Sequence, residues 1–94
     1  MRFEWDEQKN LRNRAKHRVS FETATLVFED PRVVSILDRI EENEERWHSI
    51  GMAGDMLLLL VVHTFRGSED DEVARIISAR KATPRERTIY EEAI

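Results

Sequence analysis

The chain has 94 residues, no cysteine and a formal net charge of −4 at pH 7. A chain of this length buries one modest core, so we expect a single domain over residues 1–94, and the lack of cysteine excludes disulfides and thiolate metal sites and fits a reducing cytoplasm. The longest apolar run, residues 56–62, is far shorter than the roughly 20 residues that cross a bilayer, and no apolar leader opens the chain, so the sequence predicts a cytoplasmic protein without membrane contact.

The charges are unevenly distributed along the chain. Residues 1–20 carry six basic and three acidic groups, residues 21–74 carry four and thirteen, and residues 75–94 carry five and three. Both ends are therefore positive, whereas the middle is strongly negative. Such a chain has too few grouped cations to hold nucleic acid non-specifically, but a cationic cleft forms if its two ends meet in space.

The N-terminal third is predicted to form one strand and two helices. Residues 2–5 alternate polar and aromatic side chains, as a half-buried strand does. Asp6 is a suitable N-cap for a helix over Glu7–His17, and Ser20 for a second helix over residues 21–28. Pro31 ends the second helix, because the residue before a proline is kept out of helical geometry.

The rest of the chain is predicted to form an antiparallel sheet and a final helix. Strand patterns occur over residues 33–37, 46–52 and 56–65, and again from Val73. The connections are an acidic segment over residues 38–45, a turn at Gly54-Asp55 and an acidic loop over residues 67–72. With a helix over residues 84–93, these elements predict an α+β domain whose antiparallel sheet has two N-terminal helices, a C-terminal helix and helices packed on one face.

One stretch, residues 73–87, concentrates positive charge within this acidic chain. Its cations are Arg75, Arg80, Lys81, Arg85 and Arg87, against the single acid Glu86. We expect the strand to break at Ala79 and the helix to begin with a capping box of Thr83 and Glu86 around Pro84. This break places Arg80 and Lys81 at a strand-to-helix corner. Such a local group of cations in an acidic chain indicates a site for an anionic ligand.

The amino-acid sequence of this stretch and of two earlier segments resembles that of the BrnT family of toxins from bacterial toxin–antitoxin pairs. The residues that carry the resemblance include Phe3-Glu4-Trp5-Asp6, Lys16-His17, Val19-Ser20-Phe21-Glu22, Glu45-Arg46, Arg66-Gly67, Arg75 to Arg80, Glu86-Arg87 and Tyr90-Glu91. The resemblance implies a small RelE-like fold and cleavage of RNA without a metal or cofactor. It also implies a BrnA-like antitoxin that blocks the toxin and binds DNA, so that DNA is a partner only through the antitoxin.

Arginines are the candidates for stabilising the phosphate during such a cleavage. The 2′-hydroxyl of RNA attacks the neighbouring phosphate, and the guanidinium fork meets two phosphate oxygens as negative charge develops. We select Arg66 and Arg80 for this task, and Arg75 next. Strand alternation puts Arg75 and Arg80 on opposite faces of a straight strand, so their convergence requires the break near Ala79 to turn Arg80.

The candidates for proton transfer are less closely determined. His17 is a candidate general base because histidine exchanges protons near neutral pH, with Lys16, Glu45 and Tyr90 as partners by resemblance. A solvated helix face is the alternative for Lys16 and His17, and a packing role is the alternative for Tyr90. Because no histidines and carboxylates show ligand spacing, we predict no metal site.

Two departures from the family pattern support an alternative function. Arg18 stands where the family usually has glycine, and the loop over residues 67–72 carries four acids. A left-handed backbone at Arg18 would be strained. The acidic loop is expected to keep the sheet edge soluble, and near the arginines it would alternatively repel RNA or order the arginines in the free protein. The alternative to a toxin ribonuclease that inhibits translation is a catalytically weak homologue that acts as a partner-binding module in a transcriptional autoregulation complex.

Overall fold

A computed structural model describes residues 1–93 of the chain. The elements in chain order are β1 (Arg2–Glu4), α1 (Glu7–His17), α2 (Phe21–Ala24), a 3₁₀ helix (Thr25–Glu29), β2 (Val34–Glu41), β3 (Glu44–Ala53), β4 (Leu57–Arg66), β5 (Val73–Lys81) and α3 (Pro84–Glu92). The strands form one sheet in the order β1-β5-β4-β3-β2, antiparallel except that β1 runs parallel to β5. The α+β prediction is confirmed. Between residues 1 and 93, no helix is long and apolar enough to cross a membrane.

The sheet has a core cluster on each face. On the first face, α2 and the 3₁₀ helix contribute Phe21, Ala24 and Val27 to a cluster that includes Leu59 and Val61 of β4. On the second face, the cluster comprises Ile50, Leu58, Leu60 and Tyr90, the last of which belongs to α3. Helices therefore contact both faces, whereas the sequence predicted one. Because α3 has nine residues, it covers only part of the second face.

The predicted helix starts are confirmed at the level of single hydrogen bonds. The Asp6 carboxylate accepts from the backbone N–H groups of Gln8 and Lys9, and the Ser20 hydroxyl accepts from that of Thr23. At α3, Thr83 and Glu86 form the predicted capping box. Each cap satisfies N–H groups that have no partner within the helix, which fixes where the helix begins.

The connection between the first two helices is strained at Arg18. This residue ends α1 in the left-handed conformation, with φ of 62° and ψ of 25°, while its N–H donates to the carbonyl of Arg14. Left-handed backbone costs a residue with a Cβ roughly 1–2 kcal/mol, a cost that glycine avoids. The turn is therefore formed with arginine at some cost in stability.

Two predicted boundaries in the first half are wrong. The predicted second helix is a single α-helical turn followed by a 3₁₀ helix, since the chain tightens before Pro31. The acidic segment over residues 38–45 is a β-hairpin whose turn residues Glu42 and Asn43 have φ of 52° and 65°. Positive φ at both positions suits a two-residue hairpin, and the ion pair of Arg46 with Glu41 at 2.9 Å joins its strands. Charge pairing across the strands thus compensates for the poor strand propensity of the acids.

The predicted strand break at Ala79 is also wrong, because β5 continues to Lys81. Beyond the short β1, the backbone N–H and carbonyl of Ala79 at the edge of β5 are hydrogen-bonded by Asn13, a buried residue of α1. Its side-chain amide donates to the Ala79 carbonyl at 2.8 Å, and its oxygen accepts from the Ala79 N–H at 3.2 Å. Asn13 thus replaces a neighbouring strand, and it also holds α1 against the sheet edge.

Candidate functional site

A β-bulge decides which side chains of β5 share a face. Val62 of β4 lies opposite Ser78, whereas the next residue, His63, lies opposite Ile76, so Ile77 is an extra residue in β5. One extra residue reverses the alternation of side chains between the two parts of the strand. The bulge therefore has the effect that the sequence analysis assigned to a break at Ala79.

As a result, the three predicted arginines lie on one face of the sheet. Arg75 lies opposite Thr64, and Arg80 lies opposite Leu60. Leu60, Thr64 and Arg66 are an even number of residues apart in β4, so they project from the same face. Leu60 belongs to the core cluster beneath α3, so this is the second face. We call the part of it not covered by α3 the arginine face, formed by Glu4, His48, Arg66, Arg75 and Arg80.

Glu4 joins two of these arginines. It lies opposite Arg75 in the parallel pairing of β1 with β5, which brings the N-terminal segment next to the C-terminal one. Its Oε2 accepts from Nη2 of Arg66 at 2.6 Å, and its Oε1 is 3.6 Å from Nη1 of Arg75. The two arginine side chains are 66% and 43% exposed, so they remain accessible to a ligand that competes with Glu4.

Arg80 is held by a different carboxylate, that of Glu86 in the first turn of α3. Two parallel hydrogen bonds, at 2.8 and 2.9 Å, join the guanidinium fork to both carboxylate oxygens. The hydrogen bond to Arg80 lowers the pKa of Glu86 to about 2, and the same bond raises the pKa of Arg80. Because Glu86 also closes the capping box with Thr83, Arg80 helps to fix where α3 begins.

A histidine outside the predicted set completes the arginine face. His48 of β3 lies opposite Val62, so it projects from the second face between Arg46 and Ile50. Its side chain is 31% exposed, and its Nε2 is 3.6 Å from the Asp38 carboxylate. The face thus combines arginines on one side with a histidine and a carboxylate on the other.

The predicted proton-transfer residues of α1 and β3 lie elsewhere. Lys16 and His17 occupy the last turn of α1, which the Asn13 contacts hold at the edge of the sheet. Glu45 lies opposite Ile40, beside the turn of the acidic hairpin. It alternates with Arg46, so it projects from the first face. The structure does not bring these three side chains together with the arginines, and their roles stay predictions.

Tyr90 serves as a contact between α3 and the rest of the molecule. The residue is 8% exposed, and its hydroxyl donates to Oδ2 of Asp30 at 2.6 Å. The same carboxylate oxygen accepts from the backbone N–H of Met52 at 2.8 Å. The hydrogen bond to Asp30 raises the pKa of Tyr90, so the hydroxyl is held in its protonated form. Its catalytic role also stays a prediction, while its packing role is visible.

Comparison with known proteins identifies the family. Residues 5–86 match the family model described as the ribonuclease toxin BrnT of type II toxin–antitoxin systems. The chain belongs to the BrnT family. It is also similar to the crystal structure of the Brucella abortus ribonuclease toxin BrnT, with a TM-score of 0.63 and 25% identity over 88% of this chain and 97% of that one. No curated protein matches the chain.

Membership of the BrnT family gives the arginine face a chemical context. The family consists of ribonuclease toxins, so an RNA target and an antitoxin partner are implied for this chain. RNA presents phosphates, and arginine forks bind phosphate in the bidentate manner that Glu86 shows with Arg80. Over residues 1–93, no three His, Cys, Asp or Glu side chains group closely enough to hold a metal ion.

Glu4 and His48 were not among the site residues predicted from the sequence. Glu4 was part of the motif that carried the resemblance, yet only the parallel pairing of β1 with β5 shows its position beside Arg75. For His48 a signal was present, because residues 46–52 alternate and place Arg46 and His48 on one face. That pattern does not say which face carries the arginines, since this depends on the bulge at Ile77.

Proposed function

We propose that this chain is a metal-independent endoribonuclease that acts in the cytoplasm, cleaves RNA at the arginine face and thereby inhibits translation. The observation that carries the proposal is the common placement of Arg66, Arg75 and Arg80 on one partly exposed face. Membership of a family of ribonuclease toxins supports it. Nucleic acid would approach the side of the sheet that α3 leaves uncovered.

The arginines suit the charge that develops during cleavage. As the 2′-oxygen bonds to phosphorus, the phosphate gains negative charge before the 5′-oxygen departs. A positioned donor at such a charge contributes about 3–4 kcal/mol of transition-state stabilisation. Arg66 and Arg75 already bind one carboxylate together, so a phosphodiester group, which also carries one negative charge on two oxygens, can replace Glu4.

Analysis of the product ends tests this chemistry. The purified chain is incubated with RNA, with and without EDTA, and the fragments are analysed by mass. We expect chelator-insensitive cleavage that leaves a 2′,3′-cyclic phosphate or the 3′-phosphate formed from it. Fragments with a 3′-hydroxyl that disappear on addition of EDTA would show a metal-dependent nuclease instead.

We further propose that a BrnA-like antitoxin neutralises the toxin by covering the arginine face. The face already accepts two carboxylates of its own chain, so an acidic segment of the partner suits it chemically. DNA binding would then belong to the antitoxin. Capture of the chain from its native cells should recover a small co-encoded protein, and that protein should lower the affinity of the toxin for RNA. Recovery of no such protein would contradict this part.

A second candidate function rests on the same carboxylates. Because each of the three arginines already pairs with Glu4 or Glu86, the face also suits a module that binds a protein partner in a transcriptional autoregulation complex without cleaving RNA. Induction of the gene alone distinguishes the two. Growth arrest that the neighbouring gene relieves supports the ribonuclease, whereas normal growth with retained complex formation supports the binding module.

A further inference from the structure

We propose that His48 is a catalytic residue of the arginine face and acts as the general base in RNA cleavage. The inference rests on the proposed ribonuclease function and adds to it the group that removes the 2′-hydroxyl proton. Its basis is the position of His48 on the second face, across β4 from the arginines of β5. Among the three histidines of the chain, it is the one that the sheet places on this face.

The sheet geometry places His48 and the arginines on opposite sides of one shallow site. His48 and Ser78 both lie opposite Val62, one from β3 and one from β5, while Arg75 and Arg80 flank Ser78 along β5. Neighbouring strands are about 4.8 Å apart, so β3 and β5 are roughly 10 Å apart with β4 between them. A phosphodiester group above Val62 is therefore within reach of an imidazole from one side and of long arginine side chains from the other.

A carboxylate lies beside His48. Asp38 is at an irregularity in β2, between the pairs of its neighbours Leu37 and Arg39 with β3, and its carboxylate is 3.6 Å from Nε2 of His48. This separation is longer than a hydrogen bond, so a bound substrate has to tighten it. A carboxylate beside a histidine is the pairing that orients the ring of a general base.

The other two histidines lack this combination. His63 is fully buried on the first face, where burial lowers its pKa to about 4, and Ser49 contacts its Nε2 at 2.6 Å. His17 lies in the last turn of α1, at the sheet edge. Neither side chain therefore shares a face with Arg66, Arg75 and Arg80.

One proton passes through His48 during the cleavage step. The imidazole of neutral His48 accepts the proton of the 2′-hydroxyl, and the 2′-oxygen forms a bond to phosphorus. The bond between phosphorus and the 5′-oxygen breaks, and the leaving 5′-oxygen takes a proton from water. His48 then returns its proton to solvent, so the products are a 2′,3′-cyclic phosphate and a 5′-hydroxyl.

Charged groups from several elements face His48. Glu86 of α3 lines the same small cleft as His48 and Asp38. Arg39 of β2 lies opposite Arg46 of β3, so both project from this face beyond His48. The further charges on this face are those of Arg75 and Arg80 from β5 and of Arg66 from β4. Because acids and arginines both lie near the imidazole, a comparison of histidine variants isolates the contribution of His48.

The test measures RNA cleavage against pH for the wild type, His48→Gln and His17→Gln. We expect the wild-type rate to rise with pH through the range in which histidines titrate. A general base contributes about 10²- to 10⁴-fold, so His48→Gln should lose activity by this factor together with that pH dependence. Added imidazole should restore part of the activity of His48→Ala, which a purely structural loss would not allow.

The outcomes separate this inference from the proposed function. If the wild type cleaves RNA while His48→Gln retains its rate and pH profile, the general-base role is wrong and the ribonuclease proposal stands. Loss of the pH dependence in His17→Gln alone would transfer the role to His17. If the folded wild type cleaves no RNA at any pH, both proposals fail. The melting temperature of each variant shows that the comparison is between folded proteins.

Discussion

Glu4 offsets part of the positive charge of Arg66 and Arg75 in the free protein. One carboxylate oxygen binds Arg66 at 2.6 Å and the other lies 3.6 Å from Arg75, in the places that two phosphate oxygens would take. The exposed guanidinium groups would otherwise repel each other. Glu4 therefore orders the two arginines in the free protein, and under the proposed function RNA has to displace it.

Neutralising Glu4 should increase the affinity for RNA. In Glu4→Gln the amide no longer offers negative charge to Arg66 and Arg75, so we expect binding about three- to tenfold tighter at low salt, with the gain decreasing as salt screens the charges. The binding constant for a short RNA, titrated at several salt concentrations, measures this effect.

Asp55→Asn is the matched control for Glu4→Gln. It removes one negative charge from an exposed residue of the turn between β3 and β4, which lies at the far end of β4 from Arg66. The control should change affinity by less than about twofold, because salt screens a charge that is remote from the site. Equal gains from the two substitutions would show that net charge, rather than the position of Glu4, governs binding.

His63 should make the stability of the protein depend on pH. Burial lowers its pKa from 6.5 to about 4, so the unfolded chain binds a proton below pH 6.5 that the folded chain rejects until about pH 4. The stabilisation is complete above pH 6.5 and decreases as pH falls to 4, by about 2–3 kcal/mol in total.

A comparison with His63→Phe isolates this effect. Phenylalanine suits the site because Phe28 and Phe65 already pack against the ring at centroid distances of 4.9 and 4.5 Å. Chemical unfolding at pH 7 and pH 4.5 should show that the wild type loses more stability than the variant on acidification. An identical loss in both proteins would mean that the imidazole does not titrate on unfolding.

Arg18 offers a test of local strain. Replacing it by glycine removes the penalty of a left-handed backbone with a Cβ, partly offset by the greater freedom of glycine in the unfolded chain. We expect Arg18→Gly to raise the free energy of unfolding by about 0.5–1 kcal/mol. Arg12→Gly, in the interior of α1, is the matched control and should lower it. A loss of stability in Arg18→Gly would show that the arginine side chain compensates the strain.

At the scale of elements, α3 depends on β5 through the Arg80–Glu86 fork. From the sequence, Arg80 was predicted to lie at a strand-to-helix corner. The structure places it within β5, in a two-bond ion pair that also supports the capping box of α3. Substitution of Arg80 therefore combines a loss of charge at the site with a loosened helix.

A pair of variants separates these two effects. Arg80→Ala and Glu86→Gln should each lower the free energy of unfolding by about 1–3 kcal/mol, since each removes charge-assisted hydrogen bonds. The pKa of Glu86 is lowered to about 2, so this contribution is present above about pH 4.5 and is lost as pH falls towards 2. Only Arg80→Ala should also slow RNA cleavage. Equal loss of activity in both variants would assign Arg80 to positioning α3.

Features that depend on neighbouring residues were predictable from the sequence, whereas features that depend on distant residues were not. Helix starts were predictable because Asp6, Ser20 and Thr83 bond to N–H groups two or three residues away. The bulge at Ile77 was not, because register depends on packing against β4. For the same reason, alternation alone assigned Arg75 and Arg80 to opposite faces.

At the scale of the whole molecule, the fold turns an uneven charge distribution into a local site. The parallel pairing of β1 with β5 brings the two positive ends of the chain together, as a cationic cleft requires. The acidic hairpin of β2 and β3 lies towards the opposite edge of the sheet. A protein of net charge −4 thereby presents a cationic face. The positive charge of the two chain ends was predictable from the sequence, whereas their proximity in space depends on the sheet topology.

The most direct test of the central claim is the RNA cleavage rate of Arg75→Ala compared with that of Arg12→Ala. Arg75 pairs with Glu4 and not with a residue of a helix, so its substitution affects the arginine face alone. Arg12 is exposed on α1, away from this face. Removing a donor that stabilises developing charge typically slows a reaction by about 10²- to 10³-fold, which is the effect predicted for Arg75→Ala, with Arg12→Ala within about threefold of the wild type. Equal rates for the two folded variants would contradict cleavage at the arginine face.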